Sequence, residues 1–184
     1  MMESLGKSVS TEGEPLKIKS GVAVLGASGT DAQHSFFQML HQGTEAIPVD
    51  LIGFAHLSDE TSQELIANLI AQAETLAFGQ DVDEIGNPLL PHKILSGDKP
   101  STVILAPSLS PSILGQLVAL YEHRTVSAAV TLGINPFDQW GVEFGKQSAI
   151  EIANELATPE IVSNRDSSTK ALMARYRHWR DATP

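Results

Sequence analysis

The chain has no cysteine among its 184 residues, which excludes disulfides, thiolate nucleophiles and cysteine-built metal sites. A reducing compartment is the expected setting. Positive charge is also scarce: twelve Lys and Arg stand against twenty-two Asp and Glu, for a formal net charge of −10. That balance argues against a nucleic acid or another polyanion as a general partner. A small anionic substrate in a locally basic pocket stays open. No apolar run reaches the roughly 18 to 20 residues of a membrane span, and Met1-Met2-Glu3-Ser4 lacks the basic-then-apolar opening of a secretory signal. No membrane partner is expected, and a cytoplasmic protein is. What is present, 42% hydrophobic and 18% charged residues, describes a globular chain with room for one domain and a full core.

Residues 1–20 read as a polar leader, interrupted by Gly6, Gly13 and Pro15, of the kind that frays. Residues 21–165 read as an α/β domain and 166–184 as a C-terminal helix. The domain opens on a candidate strand, Val22 to Leu25, and a turn of small residues, Gly26 to Thr30. A helix is expected from about Asp31 to His41 with Phe36, Phe37 and Leu40 buried. Ile47 to Phe54 reads as a parallel strand covered on both faces. The longest helical pattern runs from Asp59 to Phe78, and a loop rich in Asp, Gly and Pro follows through Pro91. Lys93 to Leu95 and Thr102 to Leu105 are extended candidates. Further helices are expected at Ser110 to His123, Gln139 to Leu156 and Ser167 to Arg180, with Val126 to Ile134 either helical or extended. Strands alternating with helices predict a three-layer αβα sandwich with a mainly parallel sheet. About four strands against five helices leave that sheet short, since about five or six strands are usual.

Several side chains invite chemistry. Gly26-Ala27-Ser28-Gly29-Thr30 offers amides to a phosphate, yet it lacks the P-loop lysine and the three-glycine fingerprint, and a plain strand-to-helix turn is the simpler reading. His34, Gln38 and His41 share one face of the expected helix. Two histidines seven apart do not have the four-residue spacing that brings both to one metal ion, so no metal site is expected. His34 either makes a structural hydrogen bond or exchanges protons with a ligand. Asp138 stands where an N-cap acceptor belongs. Gln139 and Lys146 are two helical turns apart, about 10 Å along the axis, and could hold one oxygen-rich ligand between them. Lys146 is otherwise an ordinary solvated helix lysine.

The run Phe137-Asp138-Gln139-Trp140-Gly141-Val142-Glu143-Phe144-Gly145-Lys146 resembles the C-terminal signature of the phosphoglucose isomerases, which interconvert glucose 6-phosphate and fructose 6-phosphate. Other stretches agree in the same order: Met2-Glu3-Ser4 with Gly6-Lys7-Ser8, Gly29-Thr30 with Gln33-His34, His41-Gln42-Gly43-Thr44, Ala73 to Gly79, Tyr121-Glu122-His123 and Asp166-Ser167-Ser168-Thr169. The likeness covers nearly the whole chain and only the C-terminal portion of the family's enzymes. It implies an incomplete sugar-isomerase-type fold. It implies that Glu3 is the base moving a proton between C2 and C1 through an enediol, that His34 takes part in ring opening in the partner subunit's site of a homodimer, that Lys146 assists at the ring oxygen and that Gln139 binds substrate. No metal or other cofactor is implied.

The chain departs from the family where Gly-Glu-Pro-Gly-Thr-Asn-Gly-Gln-His becomes Gly26-Ala27-Ser28-Gly29-Thr30-Asp31-Ala32-Gln33-His34, and where Met1 replaces an aspartate. The resemblance also implies that the phosphate-holding Ser/Thr-rich loops and an enediolate-stabilising arginine belong to a missing N-terminal portion. Each lost donor costs about 10² to 10³ in rate. The expectation is an isomerase component inactive without that portion. The alternative is a non-catalytic, truncated module that binds a sugar phosphate or a partner.

Overall fold

The computed structural model describes residues 1–56, 62–80, 88–158 and 164–182. In chain order the elements are α1 (Met2–Leu5), α2 (Gly29–Ala32), α3 (Phe37–Gln42), β1 (Val49–His56) and α4 (Ser62–Phe78). There follow α5 (Leu90–Lys93), β2 (Ser101–Ser108), α6 (Pro111–Leu132), α7 (Trp140–Ala157) and α8 (Ser167–Asp181). The chain divides into two compact units, one made of Met1–Val22 with Ala128–Pro184 and the other of Ala23–Ser127.

The second unit is an α/β assembly. β1 and β2 run parallel, with Val49 opposite Ser101 and Phe54 opposite Ala106, and the crossover that parallel strands require passes through α4. The glycine in β1 sets how closely α4 can lie: a Cβ on Gly53 would stand 2.7 Å from Leu69 Cδ1 and 3.1 Å from Ile66 Cδ1. Leu76 of α4 is fully buried with Ala32, Phe37 and Leu40, and Phe36, Ile47, Val49 and Leu51 pack around them. The end of α4 is closed by backbone bonds from Asp98 N to Ala77 O and Lys99 N to Leu76 O, both 2.9 Å, which satisfy carbonyls that a helix end otherwise leaves bare. On the far side, Tyr121 and Arg124 of α6 both bond Asp50 of β1.

The first unit gathers both ends of the chain. Leu5, Ala129 and Ile134 form its buried cluster, with Met1, Leu16, Ala128 and Leu132 against it. Residues 1–20, though mostly exposed, are therefore anchored to this cluster through Leu5, Met1 and Leu16. Val9 bridges Pro15, and Thr11 N reaches Gly133 O at 2.9 Å. α8 is started by Asp166, whose Oδ1 accepts from Thr169 N at 3.0 Å and whose Oδ2 accepts from Thr169 Oγ1 at 2.7 Å. Arg165 ties the segment before α8 to α7 through Glu155 at 2.8 Å and Glu151 at 3.2 Å.

Several expectations need correction. Val22 to Leu25 forms no strand, and Val22, Val24 and Leu25 are exposed; an apolar extended segment becomes a strand only where a pairing edge meets it. Lys93 closes α5, and among the described residues Leu95 makes an isolated bridge to Gln80. Val126 to Leu132 continues α6 without a break. The expected helix from Asp31 to His41 is two short helices separated by a turn, where Ser35 Oγ donates to Ala32 O at 3.1 Å, a local bond that competes with helix continuation. β1 is only partly covered. Asp59 to Thr61 and part of the loop through Pro91 lie outside the described residues.

Candidate active site

A four-residue helix cannot stand alone in water, because nucleation costs more than so few bonds return. α1 is held by its surroundings. Leu5 is buried, the amides of Leu5 and Gly6 bond Met1 O at 2.8 Å and Met2 O at 3.1 Å, and Lys7 Nζ donates to Ser4 O at 3.0 Å and Glu3 O at 3.3 Å. The ammonium thus covers two carbonyls that the short helix leaves unpaired. Behind it the backbone of Gly21, at φ 68°, presses on Gly6: a Cβ on Gly21 would stand 2.8 Å from Gly6 Cα. Ser20 Oγ also donates to Lys7 O. Glu3 rides on this anchored turn with its side chain in solvent. Among the described residues no hydrogen bond or ion pair engages its carboxylate.

The loop ahead of α7 is built on side-chain bonds to its own backbone. Asn135 Oδ1 accepts from Phe137 N at 3.0 Å, and Asn135 Nδ2 donates to Asp138 Oδ2 at 2.8 Å, an Asx-type turn. Asp138 is not the N-cap. Its other oxygen faces Lys7 Nζ at 3.5 Å, and the cap position falls to Gln139, with φ −140°, ψ 52° and no side-chain cap bond. Gln139 is half-buried, its Nε2 donating to Pro136 O at 3.4 Å and its carbonyl receiving Val142 N at 2.9 Å and Glu143 N at 3.2 Å. It therefore stands at the mouth of α7, one residue before the helical spacing that was expected to carry both Gln139 and Lys146 begins. Lys146 lies on α7, exposed, and open space surrounds the neighbouring Gly141 and Gly145.

His34 belongs to the other unit. It sits exposed in the turn between α2 and α3, its amide bonded to Asp31 O at 3.3 Å. The expected face of His34, Gln38 and His41 is broken by that turn. Gln38 pairs with Gln42 at 2.6 Å, and His41 Nε2 meets Gln72 Oε1 of α4 at 2.8 Å. The Gly26 to Thr30 segment follows no strand. It leads into α2 with Ser28 as an N-cap that makes no side-chain cap bond.

The structure thus brings Glu3, Gln139 and Lys146 into one unit and places His34 in the second. Lys7 and Asp138, which connect the Glu3 turn to the Gln139 loop, had no site role in the sequence reading. One signal was available: Lys7 stands four residues after Glu3, a spacing at which acid and base meet on a helix. The ammonium instead uses the backbone of that turn and a carboxylate 131 residues away in sequence, which no local pattern encodes.

The family model described as phosphoglucose isomerase matches residues 1–173. Glucose-6-phosphate isomerase 3 of Rhodococcus jostii is 46% identical, with 97% of this chain and 35% of the relative covered. Glucose-6-phosphate isomerase 1 of Streptomyces avermitilis is 47% identical with the same coverage. The crystal structure of a glucose-6-phosphate isomerase from Chlamydia trachomatis superposes with a TM-score of 0.79 at 38% identity, covering 97% of this chain and 34% of that one. The chain spans about a third of the length of the curated relatives it matches. With a matching family model over most of its length, close relatives and a shared fold, the chain belongs to the phosphoglucose isomerase family.

Proposed function

We propose that the chain is the C-terminal part of a glucose-6-phosphate isomerase and takes part in interconverting glucose 6-phosphate and fructose 6-phosphate once the rest of the enzyme is supplied. The observation that carries this reading is that Glu3 and Lys146, both exposed, and Gln139, half-buried, belong to one unit in the chain order of the family motif, with the Glu3 turn anchored by buried Leu5. In this reading Glu3 carries a proton between C2 and C1 of the opened sugar. Lys146 serves the ring oxygen, and Gln139 holds a hydroxyl of the substrate. His34 joins ring opening from the partner subunit of a homodimer. A carboxylate suits a carbon-bound proton, and an imidazole and an ammonium suit protons on oxygen. The setting is the cytoplasm.

Exposed apolar surface supports dependence on a further portion. Phe78 is 82% exposed, Phe137 77%, Phe144 75% and Trp140 71%, well beyond the scattered apolar residues that a finished surface carries. Among the described residues each strand of the two-stranded sheet also has an unpaired edge, and sheets of that size are marginal by themselves. The N-terminal portion of an isomerase is the natural cover for both. The test is a coupled assay on the purified chain, alone and with the N-terminal portion of the Rhodococcus jostii relative. Negligible turnover alone and turnover on mixing are expected; robust turnover by the chain alone would sink the requirement for a second portion.

A second reading, a non-catalytic sugar-phosphate-binding or interaction module, is favoured by the altered Gly26 to Asp31 segment and the unpaired Val22 to Leu25. Calorimetry with 6-phosphogluconate separates the two. Binding only when the N-terminal portion is present supports the enzyme, and no binding under either condition removes it.

A further inference from the structure

Lys7 is the residue that joins two parts of the proposed site, and its environment is more constrained than a surface lysine requires. Its side chain is only 15% exposed, and that of Asp138 is 29% exposed. The ammonium sits between the carbonyls of Glu3 and Ser4 and the carboxylate of Asp138. Asp138 is in turn held by Asn135, whose Oδ1 fixes the amide of Phe137 two residues ahead of Gln139. The chain of contacts therefore runs from the backbone that bears Glu3, through one ammonium and one carboxylate, to the loop that presents Gln139 and starts α7. A surface ion pair alone would contribute little. This one is largely shielded, its ammonium also donates to two α1 carbonyls, and it acts on a four-residue helix too short to hold itself.

We infer that Lys7 and Asp138 form a clamp that positions the Glu3 carboxylate relative to Gln139 and α7, so that both are positioning residues for proton transfer rather than groups that touch the sugar. The role follows from what the pair holds. Lys7 spends its donors on main-chain oxygens, and Asp138 spends its two oxygens on Lys7 and Asn135. Removing the ammonium leaves the α1 carbonyls and the Asp138 carboxylate unmatched, removing the carboxylate charge leaves the ammonium without its counter-ion, and either frees the Glu3 turn to rock on Leu5. Since a displacement of about 1 Å at a catalytic group costs on the order of 10²-fold, the effect belongs in kcat. The inference rests on the reading of Glu3 as the base, and its test reads the clamp separately from the chemistry.

The clamp is read on the full chain by amide hydrogen exchange at Leu5 and Gly6. Lys7→Met and Asp138→Asn should each speed exchange there by about tenfold, the double variant no more than either single one, while Lys170 at the start of α8 is unchanged. Lys7→Arg should restore most of the protection. Asp138→Asn is nearly isosteric and carries the test if Lys7→Met does not fold, which unchanged exchange at Lys170 monitors. With the N-terminal portion of the Rhodococcus jostii relative supplied, kcat should fall at least tenfold in both single variants with KM within twofold. Unchanged exchange at Leu5 and Gly6 overturns the clamp. Faster exchange with unchanged kcat overturns its positioning role. Failure of the reading of Glu3 as the base shows differently, as full activity in Glu3→Gln, and failure of the isomerase reading as no turnover by the parent chain with the N-terminal portion supplied.

Discussion

Tyr121 of α6 donates its phenolic hydrogen to Asp50 Oδ2 of β1 at 3.0 Å, and Arg124 reaches the same oxygen while its guanidinium lies 5.8 Å from the Tyr121 ring centroid. One carboxylate thus fixes a helix to a strand. Burial, and then the bond to Asp50, raise the Tyr121 pKa above its ordinary value, with Arg124 opposing. A raised folded pKa contributes stability that is complete below the unfolded value of about 10 and is lost as pH climbs through the folded one. Tyr121→Phe should therefore cost about 1 kcal/mol at neutral pH, below the usual range for a bond to a charged group because the pair is partly solvated. Urea titrations of both proteins should show that difference level up to about pH 10 and shrinking above it.

At the start of α8 the sign reverses. The Thr169 side-chain bond first, and the Thr169 amide second, hold the Asp166 carboxyl below its ordinary pKa. Its contribution is present above the unfolded value of about 3.9 and is lost as pH falls through the lower folded value. Acidification below about pH 4 should fray the first turn of α8, seen as a lower protection factor for the Thr169 amide relative to its intrinsic exchange rate at each pH. Asp166→Ala should exchange fast there at neutral pH already and show little further acid response. A first turn of α8 that stays protected in Asp166→Ala would show that the cap is dispensable.

Long periodic elements were legible in the chain. β1, α4, α7 and α8 begin and end within a few residues of the expected positions, because their apolar spacing and the Asp166 cap are local facts. What escaped was decided by distant residues. Asp138 has the chemistry of an N-cap, but Lys7 and Asn135 claim both of its oxygens. Val22 to Leu25 has strand composition and no edge to join. Ala32, Phe37 and Leu40 enter one buried cluster with Leu76 and bend the chain between α2 and α3. For the site, the identities of Glu3, Gln139, Lys146 and His34 were readable from motif resemblance, whereas the packing that makes the leader a platform for Glu3 depends on Ala129 and Ile134.

Gly21 and Gly141 should respond oppositely to the same substitution. Gly21 has φ 68°, and a Cβ there meets Gly6 Cα at 2.8 Å and Leu5 O at 3.2 Å, all backbone that cannot rotate away. Gly21→Ala should destabilise by about 2 kcal/mol through strain and should loosen the Glu3 turn. A Cβ on Gly141 meets nothing within 4 Å, inside α7, so Gly141→Ala should stabilise by about 0.5 to 1 kcal/mol through helix propensity. Thermal melts of the two variants decide it. Equal shifts in the same direction would contradict the close approach of Gly6 and Gly21.

Glu3 gives the sharpest separation of fold from chemistry. Its carboxylate is in solvent and engages no partner among the described residues, while its backbone is fixed by Lys7 and by the burial of Leu5. Glu3→Gln keeps shape and polarity and removes only basicity. Stability should therefore hold within about 0.5 kcal/mol, as for other surface changes. In the complemented enzyme kcat should fall by about 10² to 10⁴, the span assigned to a positioned general base, with KM nearly unchanged because the loss is confined to the transition state. Incorporation of solvent deuterium at the sugar carbon should fall in parallel, since the same carboxylate would exchange that proton with water. Deuterium incorporation at the parental rate with slowed isomerisation would assign the carbon proton to another group and leave Glu3 a role at the sugar oxygens.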